Sequence, residues 1–140
     1  MANLVDMRVL NDGFRNAVVK LTGILDTNDV NEVSVFGPST FLTNDKLAGA
    51  QGLFWGLRVD RVEYSIGSGL EIQLAWNGSP PQQIMPLAGR GKFVGDHYGG
   101  WIPDSTKLGY DGTINLTTTG YFPPTVQNFT VTIEMTKLYK

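Results

Sequence analysis

Apolar and polar side chains alternate over eight positions in Phe129-Thr130-Val131-Thr132-Ile133-Glu134-Met135-Thr136. Successive side chains of a strand point to opposite faces of its sheet, so this stretch has one face for a core and one for water. The same alternation recurs in Leu70-Glu71-Ile72-Gln73-Leu74-Ala75-Trp76, which predicts that Trp76 lies in the core. No stretch of similar length keeps a helical period. The sequence therefore predicts half-buried antiparallel strands.

Turn signals divide the rest of the chain into further strands. The apolar parity changes near Asp60 or Arg61, which predicts a bulge there. Pro86 predicts an edge strand or a bulge at that position, because proline cannot donate a ladder hydrogen bond. Asn77-Gly78 predicts a reversal with positive φ. We expect one all-β domain over residues 1–140, a jelly-roll-like antiparallel sandwich of about seven or eight strands, with a small barrel as the alternative.

Two glycine-rich segments, 37–56 and 88–112, are predicted to be long surface loops, the first with a helical turn at 40–46. Gly89-Arg90-Gly91-Lys92 has glycines next to cations but lacks the spacing of a phosphate loop, so a basic turn with a packing or interface role is favoured. Trp55 and Trp101 are predicted to lie in loops, where aromatic side chains either dock on the domain or bind a partner. The predicted interface residues are Trp55, Arg90, Lys92, His97, Tyr98 and Trp101.

Composition limits the function classes. The chain has 140 residues, no Cys and a net charge of -2. A chain of this length buries enough surface to fold without disulfides, and the absence of a basic half disfavours nucleic-acid binding. No apolar stretch is long enough to span a membrane and no signal peptide is evident, so we expect a soluble protein made in the cytoplasm.

Few residues could support catalysis or bind a metal. His97 is the single histidine, so the usual zinc ligand sets cannot form, and no Ser lies in a nucleophile elbow. We expect no catalytic residue, no metal and no cofactor. Asp26 and Asp29 lie among other oxygen ligands that could bind calcium, but their spacing does not match an EF-hand loop. A plain surface turn is the favoured interpretation, with calcium as the alternative.

One family pattern is matched by several parts of the chain, namely 15–27, 57–66, 70–76, 87–92, 97–100 and the closing strand. Together these segments resemble small virion structural proteins of tailed bacteriophages, a largely uncharacterised group. Residues 37–56 and 101–112 depart from the pattern. The resemblance implies a virion component without enzymatic activity.

The leading hypothesis is a capsid decoration, or cement, protein. It would bind the outer surface of the major capsid protein shell as a homo-oligomer, a dimer or a trimer. A neck or tail component is the alternative within the virion. A carbohydrate-binding module that uses Trp55 and Trp101 as stacking platforms is the alternative from another class.

Overall fold

The computed structural model describes residues 3–13, 15–31, 33–37, 54–95, 99–122 and 126–139, with only the backbone given for Phe54, Trp55 and Tyr139. Within these ranges the chain forms strands and turns. None of the described segments is a helix with the length and hydropathy that a bilayer crossing requires.

Nine strands are found in the described ranges. They form a five-stranded sheet in the order β1-β2-β9-β4-β7 and a four-stranded sheet in the order β3-β8-β5-β6, and every pairing of neighbours is antiparallel. The strands are β1 (Leu4–Asp12), β2 (Asn16–Leu25), β3 (Val33–Phe36), β4 (Phe54–Ile66), β5 (Glu71–Trp76), β6 (Gln82–Ala88), β7 (Arg90–Val94), β8 (Ile114–Thr119) and β9 (Gln127–Tyr139).

The two sheets enclose one core and have the connectivity of a jelly roll. If β1 is set aside as an added edge strand, the remaining strands form the orders β2-β9-β4-β7 and β3-β8-β5-β6, the double Greek-key arrangement of that fold. Buried side chains from both sheets form a single apolar cluster. The predicted antiparallel sandwich is therefore confirmed.

Strand β9 lies in the middle of the larger sheet and pairs with β2 on one side and β4 on the other. Its inward side chains, Phe129, Val131, Ile133 and Met135, are at most 1% exposed. The face that the alternation predicted to be apolar is thus the core face.

Three finer predictions are also confirmed. The β4–β9 register shifts between Val59 and Arg61, where the parity change predicted a bulge. Pro86 lies in β6, the edge strand of the smaller sheet. Trp76 is buried in the core at 3% exposure.

Other predictions were wrong. Gly78 does not have a positive φ, and the reversal after β5 instead contains a cis Ser79-Pro80 peptide and a hydrogen bond from the Ser79 N–H to the Leu108 carbonyl, 2.8 Å. Residues 88–112 are not one loop, because 90–94 form β7. Trp55 lies in β4 rather than in a loop. The predicted helical turn at 40–46 lies outside the described residues.

A buried ion pair fixes the first hairpin to the last strand. The Lys137 side chain is fully buried on the core side of β9, and its ammonium group donates to the carboxylate of Asp12 in β1. The Lys137 backbone N–H also donates to the carbonyl of Arg15, 2.6 Å. Because a buried charge requires a partner, the β1–β2 hairpin is held at a defined position against β9.

We predict that Ile133→Asp unfolds the domain. An unpaired carboxylate in this core costs several kcal/mol, a large part of a typical stability of about 5–15 kcal/mol. The matched control is Thr130→Asp, which places the same residue on the opposite face of the same strand and should change stability by about 0.5 kcal/mol or less. Thermal melting compares the two variants, and equal melting temperatures would contradict the assigned inward face.

Candidate functional site

The outer face of the five-stranded sheet is polar along its centre. Thr130, Thr132, Glu134 and Thr136 point outward from β9, and Thr22 pairs with Thr130 across the ladder. These residues alternate with the buried side chains of the same strand, so the core alternation itself creates this surface. The face is therefore accessible to a partner rather than covered by another layer of the described chain.

A shallow groove crosses this face between β9 and β7, above β4. Two adjoining depressions share Ser65 and Thr130 and together form the groove. Thr130 and Thr132 form one wall, and β7 forms the other. The side chains at the floor and walls are Glu63, Ser65, Arg90, Lys92, Thr130 and Thr132.

The β7 wall carries two exposed cations. Gly89, with φ of 71°, turns the chain from β6 in one sheet to β7 in the other. Arg90 then pairs opposite Ser65, and Lys92 pairs opposite Glu63. Because positions two apart share a face, both cations point to the groove side of the sheet.

Neither Arg90 nor Lys92 takes part in an ion pair with a described residue. Glu63, although directly across from Lys92, accepts a hydrogen bond from the Arg61 guanidinium, whose Nε lies 3.8 Å from a carboxylate oxygen of Glu134. Arg61 is thus the ion-pair partner of both nearby carboxylates. Three cations and two carboxylates give this part of the face a net positive charge, and Arg90 and Lys92 are its cations without an ion pair to a described residue.

Aromatic side chains cover the opposite side of β7. The rings of Tyr64 and Phe93 stack with centroids 5.9 Å apart, and Phe93 meets Trp101 edge to face at 6.4 Å. Phe93 on this side is still 40% exposed, and Val94 on the groove side is 37% exposed. The outer strand of this sheet thus combines free cations with accessible apolar surface.

Trp101 is held against the domain by its backbone and by its ring. Its backbone exchanges two hydrogen bonds with Val59, of 2.9 and 2.8 Å, and its ring lies on Gly95, where a Cβ atom would be 2.4 Å from the ring. Of the two alternatives given for Trp101, the structure shows docking on the domain, through Val59 of β4 and Phe93 of β7.

The rest of this connection is also docked on the sandwich. The Asn77 N–H donates to the Thr113 carbonyl, 2.8 Å, and the Tyr110 hydroxyl lies against Gly56, where a Cβ atom would be 2.5 Å away. Burial, with the nearby Asp111 carboxylate as a second cause, raises the pKa of Tyr110 to about 12. Residues 99–113 are thus attached to the sandwich through Trp101, Tyr110 and Thr113.

Of the six predicted interface residues, the structure brings together Arg90 and Lys92, on an edge strand rather than a turn. Trp101 lies on the other side of that strand. His97, Tyr98 and the Trp55 side chain lie outside the described residues. The threonines of β9 were missed, although their outward positions follow from the same alternation that identified the strand.

Asp26 and Asp29, the two carboxylates considered for calcium binding, form hydrogen bonds within the domain. Asp29 accepts hydrogen bonds from the Thr118 hydroxyl at 3.0 Å and from the Tyr121 N–H at 3.1 Å. Asp26 accepts from the Thr27 hydroxyl at 2.9 Å. No group of three or more His, Cys, Asp or Glu within the described ranges could hold a metal ion. These contacts fit the favoured interpretation of a plain turn, in which Asp29 joins the β2–β3 turn to β8.

Comparisons with known proteins leave the family open. No family model and no curated protein matches the sequence. A crystal structure of FeII HppE matches over 92% of this chain and 56% of its own, at 9% identity and a TM-score of 0.30. A CBM4 structure matches over 96% of this chain and 94% of its own, at 8% identity and a TM-score of 0.33. Likenesses this distant carry no argument about function, and the chain spans little more than half of the HppE chain.

We predict that Gly95→Ala destabilises the protein by about 1–3 kcal/mol, because the new methyl group would collide with the Trp101 ring. Gly13→Ala is the matched control, since its nearest contact would be an ordinary 3.4 Å to the Asn16 carbonyl oxygen. Urea unfolding measures both changes.

A double-mutant cycle identifies the cause. If the ring of Trp101 is the obstacle, Gly95→Ala should cost much less in a Trp101→Ala background. An undiminished cost there would contradict the packing of Trp101 on Gly95.

Proposed function

We propose that this protein is a structural component of a tailed-bacteriophage particle, a decoration protein that binds the outer surface of the major capsid protein shell. The resemblance of its segments to virion structural proteins suggested this role. The observation that carries the proposal is the outer strand β7, where Arg90 and Lys92 have no ion-pair partner among the described residues and Phe93 and Val94 are exposed. Arginine and aromatic side chains are enriched at protein–protein interfaces.

The acidic side chains near the groove support binding rather than catalysis. The Asp60 carboxylate accepts from the Arg58 guanidinium at 2.7 Å and from the Thr136 hydroxyl. Glu63 accepts from Arg61. Each carboxylate therefore pairs with a neighbouring cation, and Asp60 also links β4 to β9 through Thr136, which is a structural use of the group.

Exposed apolar side chains at both ends of the sandwich fit a protein that contacts more than one neighbour. Leu108 lies at the end where β5 meets β6 and is 77% exposed, and Phe122 lies at the opposite end, between β8 and β9, also at 77%. In the proposed role, one surface contacts the shell and another contacts copies of this chain in a dimer or trimer on the virion surface. Several linked weak contacts then give tight attachment.

The alternatives are less well supported. A neck or tail component would use the same surfaces and differs only in its location. A carbohydrate-binding module needs exposed aromatic platforms, but the Trp101 ring packs on Phe93 and Gly95. The described side chains on the outer face of the larger sheet include no aromatic ring.

The test is co-sedimentation of the purified protein with assembled shells of the major capsid protein from the same phage. We expect the wild type to sediment with the shells and Arg90→Glu/Lys92→Glu to bind about tenfold or more weakly, a loss of about 1.4 kcal/mol or more. Arg8→Glu/Lys20→Glu is the matched control, because these cations are also exposed neighbours on the same face, at the far side of the sheet.

Absence of wild-type binding would refute the decoration role. Equal losses in the two double variants would show that binding depends on general charge and not on β7. Cryo-EM of intact particles then distinguishes a capsid location from a neck or tail location.

A further inference from the structure

We propose that β7 is a docking edge to which a partner adds an extended segment as a sixth strand, with carboxylates at alternate positions of that segment. The inference rests on the proposed function, because the segment would belong to the shell to which the protein attaches. It goes further by naming the binding mode, strand addition to a sheet edge, and the chemistry of the partner.

At three residues of β7 the backbone N–H and C=O groups point away from β4, along the plane of the sheet. The Ile66 N–H donates to the Gly89 carbonyl and the Gly95 N–H donates to the Asp60 carbonyl, both at 2.8 Å. In an antiparallel pair, bonded and non-bonded positions alternate. Residues 89, 91, 93 and 95 therefore face β4, whereas Arg90, Lys92 and Val94 point their N–H and C=O groups away from it. All five residues of the strand are exposed.

The other sheet edges carry the features that usually prevent strand addition. β6 contains Pro86, β3 is only four residues long, and β1 has a register shift between Val9 and Asn11. Proline, short length and bulges each make an edge a poor template. β7 contains no proline, and its pairing with β4 shows no register shift. The features that protect this edge are its charges and its length of five residues.

The charges of β7 select the occupant. Arg90 and Lys92 lie two residues apart on one face and have no ion-pair partner among the described residues. A second copy of β7 paired antiparallel about its centre would place Lys92 opposite Lys92, and like charges in that position are unfavourable. A strand with carboxylates at two alternate positions would place one opposite each cation.

The other face of β7 selects the residues between those carboxylates. Gly91 has no side chain there, and a Cβ atom at this position would lie 2.9 Å from the Tyr64 hydroxyl oxygen. Phe93 is 40% exposed on the same face. An apolar side chain in the added strand would cover Phe93 and the Tyr64 ring beside Gly91. The expected partner sequence therefore alternates acidic and apolar residues.

The probe is a short fluorescent peptide in which glutamate alternates with valine, measured by anisotropy. A peptide of the same composition with its glutamates contiguous controls for net charge. Two further peptides have the alternating sequence with N-methyl groups on every second backbone nitrogen, one peptide for each phase. We expect the alternating peptide to bind, and the contiguous peptide and one of the two N-methylated peptides to bind about tenfold or more weakly. The other N-methylated peptide should keep its binding, because an added strand uses only one of its two edges for the ladder with β7.

Protein variants test the site. Arg90→Glu/Lys92→Glu should lose the alternating glutamate peptide about tenfold or more and gain binding of a lysine–valine peptide, whereas Arg8→Glu/Lys20→Glu should keep wild-type behaviour. The gain of binding to the lysine–valine peptide distinguishes charge reversal from misfolding, because an unfolded variant would bind neither peptide specifically. Unchanged melting temperatures check the fold independently.

Three results would overturn the proposal. The first is that the alternating peptide does not bind. The second is that the two N-methylated peptides bind equally well. The third is that both charge-reversal variants lose the same amount of binding. The shell experiment and the peptide experiment can fail independently of each other. Peptide binding without wild-type attachment to shells would keep β7 as a strand-accepting edge and remove the capsid as its partner.

Discussion

The position of β9 at the centre of the larger sheet constrains the rest of the molecule. Its backbone is bonded to β2 on one side and β4 on the other, so its register sets the register of both neighbours. One side of it fills the core with Phe129, Val131, Ile133 and Met135, and the other side lines the outer face with hydroxyl groups. A slip of one residue would exchange these faces, which would remove the core and the groove together.

The outer edge of the same sheet follows from this arrangement. β4 pairs with β9 on one side and, over residues 61–65, with β7 on its other side. β7 is therefore the last strand on that side of the sheet in the described chain. On the inward side of β7, the rings of Tyr64, Phe93 and Trp101 pack on one another. The cations on its outward surface have no internal partner among the described residues. The same strand thus completes the fold and supplies the surface proposed to bind the partner.

The sequence predicts the central strands well, because a strand with one buried face alternates visibly. β5, β9, the bulge after Val59 and the edge position of Pro86 all follow from local patterns. β7 escapes prediction because all five of its residues are exposed, so no alternation marks it, and its central glycine suggests a turn. The burial of Lys137 also escapes, since its partner Asp12 is 125 positions away in the sequence. Of the candidate site, the sequence identified Arg90 and Lys92 but neither their strand nor the groove they line.

The open edge of β7 is tested most directly by residue-specific amide hydrogen exchange of the free protein, measured by NMR. Amides bonded within a sheet exchange slowly, and amides that face solvent exchange quickly. The structure predicts slow exchange at Gly91 and Phe93 and fast exchange at Arg90, Lys92 and Val94, with the slowest amides of the sheet in β9. Protection of Arg90, Lys92 and Val94 equal to that of Gly91 and Phe93 would show that this edge is already covered, and would contradict its assignment as a binding surface.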